Sequence, residues 1–111
     1  MEFDRTLFII NLAIPLGIIA LSIPLVFAKI PPNRWYGFRT NKTRSSDAVW
    51  YRANRLAGQY LIVAAVFQLV AIPAMLVFWP QLAPVLFAYG ILALVPLLIA
   101  LVMCFLRVRT F

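Results

Sequence analysis

The chain has 111 residues, is 65% hydrophobic, and sets ten Lys and Arg against three acidic residues, for a net charge of +7. A soluble domain of this size cannot cover so much apolar surface, so the composition is that of a membrane protein. With no His and so few carboxylates, metal centres and paired acid–base catalysis are poorly provided for, and the basic residues match no nucleic-acid-binding fold.

The first element is an uncharged run from Thr6 to Ala28, long enough for one crossing of about 30 Å of hydrocarbon. Val26-Phe27-Ala28 offers small residues near a signal-peptide cleavage position. However, Glu2 and Asp4 beside Arg5 make a poor basic leader, and the apolar run is too long. It is read as a retained span at 6–28. Asn11, Pro15, Ile18 and Ser22 recur at helical spacing, giving one mildly polar face suited to packing against other helices. Pro15 and Pro24 each release a carbonyl four residues earlier and should bend the helix.

Pro31-Pro32 is expected to stop this helix, and Pro, Asn and Gly keep the following dozen residues from being helical. Seven of the ten Lys and Arg lie between Lys29 and Arg55, interleaved with Trp35, Tyr36, Phe38, Trp50 and Tyr51. Gly37 is expected to supply a positive φ at a tight turn. Ser45-Ser46-Asp47 reads as a helix start: a Ser caps free N–H groups and Asp47 suits the positive helix end.

The second helix is expected over 46–79, at about 50 Å longer than the hydrocarbon is thick. Its first ten residues or so should lie at or beyond the headgroups, unless it bends near Gly58. Trp35, Tyr36, Trp50 and Tyr51 fit an interfacial aromatic belt on one side, and Trp79 on the other. One stripe stands out: Asn54, Gly58, Leu61, Ala65, Gln68 and Ile72 share a narrow face. Small residues with isolated amides are what close helix contacts in lipid use. At the depth of Gln68 the third helix carries Pro96, which frees the carbonyl of Leu92. The Gln68 amide is expected to donate to that carbonyl or a neighbour.

Trp79-Pro80-Gln81-Leu82-Ala83-Pro84 breaks the long uncharged run, and a third span is expected over 83–106. Cys104 reads as a small packing residue. The Lys and Arg count places the first loop and the C-terminus, with Arg107 and Arg109, on the cytoplasmic side and the N-terminus outside. The fold class is therefore an all-α membrane protein: one domain, 1–111, of three transmembrane helices with a basic cytoplasmic loop between helices 1 and 2.

For binding, Arg34, Arg39, Arg52 and Arg55 can each fork onto a carboxylate or phosphate. Asn33, Thr40, Thr43 and Asn54 add neutral hydrogen-bonding groups. Asp47, the only acid among these cations, either complements its helix end or ties Arg39 or Arg55 into a salt bridge that rigidifies the loop. Nothing spaces Lys29 or Lys42 to activate a hydroxyl, so no enzyme activity, cofactor or metal is expected. Anionic lipid headgroups are natural partners for the remaining charge.

These residues carry a resemblance. Pro32-x-Arg34-x-x-Gly37-x-Arg39-Thr40, then Lys42-Thr43, Trp50, Asn54-Arg55 and Gly58, resembles the signature of the SdpI-type family of small bacterial membrane proteins. That pattern reads P-N-x-x-x-G-[IF]-R-T-P-x-T, a spacer, then W-x-x-x-[NH]-R-x-[AS]-G opening a span. Here Asn41 stands in place of a usual Pro, and Arg44 where an apolar residue is common. The resemblance implies a bacterial inner-membrane protein. The family's namesake gives immunity to a secreted antimicrobial peptide and acts as a sensor, but it is a longer protein with additional spans. The resemblance marks Asn33, Gly37, Arg39, Thr40, Thr43, Trp50, Asn54, Arg55 and Gly58 as the positions to watch.

Three functions are compatible with the sequence. The first is an immunity- or sensor-type protein whose loop binds a toxic peptide, a lipid or a regulatory protein. The second is a subunit of an oligomeric transporter or channel, with Asn11, Ser22 and Gln68 lining a path between copies. The third is a structural, lipid-associated protein whose motif serves folding alone.

Overall fold

The computed structural model describes residues 5–82, 84 and 90–111. Among them are three α-helices, α1 (Arg5–Val26), α2 (Asp47–Phe78) and α3 (Ile91–Val108), with a 3-10 turn at Thr43–Ser45 and no strand. Both α1 and α2 are long and apolar enough to cross a membrane. Glu2 and Asp4, the acids that argue against a leader, lie outside the described residues.

α2 is the centre of the fold. It runs as helix for 32 residues, Gly58 included, and its length accounts for the 50 Å long axis of the molecule. α1 packs along one side, antiparallel, so that Ser22 and Val26 meet Gly58 while Leu7, Phe8 and Leu12 surround Ile72. α3 packs along another side. There Cys104 and Val108 meet Ala53 and Ala57, and the small residues on both helices let the backbones approach. α1 and α3 scarcely touch, so α2 must bury two faces.

That demand explains the stripe on α2. Asn54, Gly58, Ala65, Gln68 and Ile72 are buried, and Leu61 of the same stripe is half-buried. On α1 the buried residues are Asn11, Pro15, Ser22 and Leu25, the mildly polar face. The opposite faces are uncovered: Val63, Phe67 and Val70 are 68%, 58% and 66% exposed. Large apolar side chains left open in this number suit hydrocarbon, not water.

The end of α1 differs from the expectation. α1 stops at Val26, five residues before Pro31. Lys29 N–H donates to the Pro24 carbonyl at 2.9 Å and Ala28 N–H to the Leu25 carbonyl at 3.2 Å, with Ala28 at φ 56°. This is a Schellman end, built on Ala where Gly is usual, and it terminates the helix before the prolines are reached. The expected start of the third span at residue 83 falls in a stretch of which only Pro84, itself helical, is described before Gly90. Residues 83 and 85–89 lie outside the described residues, and Gly90 sits at φ 64°. A left-handed residue cannot continue a helix, so α3 begins at Ile91 and extends to Val108. At the other turn, Trp79 N–H closes on the Met75 carbonyl and Pro80 follows, ending α2 where the sequence places the break.

Candidate functional site

The segment between α1 and α2 folds back over the first turns of α2 and is held there by side-chain amides, hydroxyls and one indole. At its start, Pro31-Pro32-Asn33 makes an Asx turn. Asn33 Oδ1 accepts from the backbone N–H of Trp35 at 2.8 Å and of Tyr36 at 2.6 Å, while its Nδ2 donates to the Pro31 carbonyl at 2.8 Å. The Tyr36 hydroxyl reaches across to donate to the Leu21 carbonyl of α1.

Two α2 side chains then clasp the loop. Trp50 is wholly buried and donates its indole N–H to the Ile30 carbonyl at 2.9 Å. Asn54 takes both backbone groups of Phe38: its Oδ1 accepts the Phe38 N–H at 2.6 Å and its Nδ2 donates to the Phe38 carbonyl at 3.3 Å. The same Nδ2 donates to the Trp50 carbonyl one turn back at 3.0 Å. This is how a β-ladder partner would treat Phe38, supplied here by a side chain. Gly37 makes the approach possible. It sits at φ 106°, and a Cβ there would lie 2.6 Å from Asn54 Oδ1.

The far end of the loop is closed by two threonines. Thr40 N–H donates to Thr43 Oγ1 at 2.7 Å and Thr43 N–H returns to Thr40 Oγ1 at 3.1 Å, with Thr43 Oγ1 also donating to the Thr40 carbonyl at 3.1 Å. Thr43 is fully buried. Arg44 adds a bond from Nε to the Thr40 carbonyl at 3.4 Å, and Ser45 Oγ donates to the Lys42 carbonyl at 2.6 Å. Ser46 is the N-cap of α2, accepting from Val49 N–H at 3.2 Å, and Asp47 opens the first turn.

The cations divide by what they touch. Arg55 Nε donates to the Val26 carbonyl at 3.2 Å, a carbonyl that the Schellman bonds leave over. Arg52 lies over the Phe111 ring, 4.1 Å from its centre. Arg34 and Arg39 are exposed and make no hydrogen bond or ion pair among the described residues. The salt bridge considered between Asp47 and Arg39 or Arg55 is not formed among the described residues. Arg55 turns to a backbone carbonyl instead, and neutral groups hold the loop.

Gly58 brings α1 in. A Cβ at this position would stand 2.9 Å from the Ser22 carbonyl and 2.8 Å from Val26 Cγ2. Deeper in the fold the Gln68 amide donates to the Ala93 carbonyl, one residue past the Leu92 carbonyl that Pro96 leaves free.

The sequence did not point to Tyr36 as a strut to α1, to Phe38 as the clasped residue, or to a cavity of about 240 Å³ beneath the loop. The cavity is walled by Tyr36, Gly37 and Phe38 of the loop, Ser22 and Ile18 of α1, and Leu61 of α2. Tyr36 reads as an interfacial aromatic, which hides a hydroxyl bond. Nothing in the sequence marks Phe38, because its clasp exists only once the loop folds back onto Asn54 of α2.

Uncovered apolar helices joined by a clasped basic loop define an integral membrane protein of the all-α class. A family model described as the SdpI/YfhL protein family matches residues 29–106, most of the chain and the whole of the clasped segment. The chain belongs to that family. No curated protein and no solved structure matches it significantly.

Proposed function

We propose that the protein is a three-span component of the bacterial cytoplasmic membrane that binds an anionic group, on a peptide, a lipid or a regulatory protein, through the outward-facing Arg34 and Arg39 of its clasped loop. The N-terminus lies outside, and the loop and C-terminus lie in the cytoplasm, because Lys and Arg concentrate at 29–55 and 107–109. The single observation that carries the reading is the division of labour in the motif. Asn33, Thr40, Thr43, Trp50 and Asn54 bond within the chain, while Arg34 and Arg39 are left pointing out of a rigid segment. Because the backbone that carries these guanidiniums is already held, binding a carboxylate or phosphate orders only the two side chains. Family membership adds an immunity or sensing role in a peptide-defence circuit as the setting.

The same bonds favour a second reading, in which the motif is a folding device and the charge acts only on lipid headgroups. One experiment separates them. The wild-type chain, Arg39→Lys and Arg34→Gln/Arg39→Gln are expressed in a sensitive bacterial host at matched membrane levels and challenged with membrane-active peptides. Protection that falls in Arg39→Lys identifies bidentate recognition. Protection that survives Arg34→Gln/Arg39→Gln removes the binding reading, and a wild-type chain that protects against nothing removes immunity.

A further inference from the structure

α1 and α3 both pack on α2 and scarcely touch each other, and the clasped loop roofs the gap between them. The cavity of about 240 Å³ under that roof draws its lining from all three helices, with Ile18 of α1, Leu61 of α2 and Leu101 of α3. The loop aromatics Trp35, Tyr36 and Phe38 complete it. We infer that this cavity binds one small, neutral aromatic molecule of about two fused rings.

Polarity excludes hydrophilic guests. Ser22 and Tyr36 carry the hydroxyls of the lining. The Ser22 oxygen is buried out of reach, and the Tyr36 hydroxyl is spent on the Leu21 carbonyl. A guest with hydrogen-bonding groups would lose water and find no side-chain partner deep in the cavity. Charge excludes a cation, although aromatic rings grouped in this way can cage an ammonium. Seven Lys and Arg lie between Lys29 and Arg55, with Asp47 the one acid among them, so a cation is repelled.

Size and shape narrow the class further. An apolar cavity of about 150 Å³ holds benzene, and this one has room for a second ring. A flexible chain would lose more freedom on entry than a rigid ring, and would forgo contacts between rings. The space is preformed because its roof is bonded elsewhere. Trp50 holds Ile30, Asn54 holds Phe38, and Tyr36 is braced on α1. The apolar groove between α2 and α3 is larger, about 590 Å³. Its Val63 and Phe67 are exposed on the face that meets hydrocarbon, so any bilayer chain fills it. The inference stands whether or not Arg34 and Arg39 bind an anion.

The test uses the full chain in phosphatidylcholine nanodiscs. Binding of 1-fluoronaphthalene is followed by fluorine NMR, with empty nanodiscs as the reference for partition into lipid. The wild-type chain should show a saturable site, one per chain, above that linear partition. Leu61→Phe and Ile18→Phe fill the cavity from different helices, and each should weaken the site about ten-fold. Phe67→Leu, in the groove between α2 and α3, should leave it unchanged. Naphthalene should displace the probe about five-fold better than decalin, its saturated counterpart, at equal bilayer concentration, the worth of one aromatic pair. Absence of a saturable site in the wild-type chain, which requires no variant to fold, overturns the inference. A site that survives both filling variants, or that falls in Phe67→Leu, lies elsewhere and overturns it too. Displacement by decalin or decane as effective as by naphthalene would reassign the cavity to any apolar guest, and displacement by phenyltrimethylammonium would reassign it to a cation; either overturns the inference.

Discussion

The carboxamide of Asn54 pairs with both backbone polar groups of Phe38, sixteen residues earlier in the chain. Each of these backbone groups would otherwise need a strand, a helix or water, and the loop provides no strand. Asn54→Ala would leave the Phe38 N–H facing an apolar wall. The expected loss is about 2 kcal/mol, from an unmet donor and two lost bonds. Thermal unfolding in detergent, followed by tryptophan fluorescence, should register it. Asn54→Asp sets a buried carboxylate oxygen against the Phe38 and Trp50 carbonyls in place of the donors, so it should lose at least as much as Asn54→Ala; a milder loss would mean that the Nδ2 bonds contribute little.

Gly58 is the contact point between α1 and α2. Gly58→Ala places a methyl 2.9 Å from a backbone carbonyl, which cannot move aside as a side-chain tip can. The helices must separate, at a cost of about 1–3 kcal/mol. At Gly17, on α1, an added methyl would meet nothing within 4 Å, so Gly17→Ala should be neutral or mildly stabilising. Comparing the unfolding temperatures of the two variants checks the contact, and equal effects would refute it.

Much of this architecture is legible in the residues. The Asn54-to-Ile72 stripe names one of the two buried faces of α2, since it combines small residues with amides, while the Ala53 and Ala57 face that meets α3 carries no such mark. Gly37 announces its positive φ, and Ser46 its cap. What stays hidden depends on contacts between distant segments. A Schellman end on Ala28 has no composition signal, because Ala at positive φ is tolerated only where the surrounding bonds fix it. The Gly90 break is masked by the prolines before it. The Asp47 ion pair rests on charge pattern alone, and Arg55 has a nearer partner in the Val26 carbonyl.

The bond from Gln68 to Ala93 makes a sharp genetic prediction. Were the acceptor the carbonyl freed by Pro96, Pro96→Ala would re-engage that carbonyl in the helix and mask the loss from Gln68→Ala. The acceptor is instead the next carbonyl along. Gln68→Ala should therefore lose about 0.6–2 kcal/mol, the range for polar contacts between membrane helices, and lose the same amount in a Pro96→Ala background. Unfolding of the single and double variants in detergent gives both numbers, and a loss that vanishes with Pro96→Ala would transfer the bond to Leu92.

Thr43 closes the loop with a hydroxyl used as both acceptor and donor. Thr43→Val keeps the shape and removes the hydroxyl, leaving the Thr40 N–H without its partner. Because the damage is local, limited proteolysis should detect it before global unfolding does. Trypsin cleavage after Arg39, Lys42 and Arg44 should accelerate about ten-fold, the effect of roughly 1.4 kcal/mol on local opening. Cleavage at wild-type rates would show that Trp50 and Asn54 hold the loop without the threonines.

The proposed orientation can be read from the side on which single introduced cysteines are labelled. Cys104 is buried between α2 and α3 and should stay silent to a membrane-impermeant maleimide in intact cells. Asn41→Cys sits in the exposed part of the basic loop, and Gln81→Cys in the uncharged turn after α2. With seven Lys and Arg in the first segment and none in the second, the positive-inside rule puts them on opposite faces. Gln81→Cys should react in intact cells, and Asn41→Cys only after permeabilisation. The reverse pattern would place Arg34 and Arg39 outside, where they would meet an incoming peptide directly and could not meet a cytoplasmic regulator. Labelling of both sites in intact cells would mean that α2 does not span the membrane, and the three-span topology would fall with it.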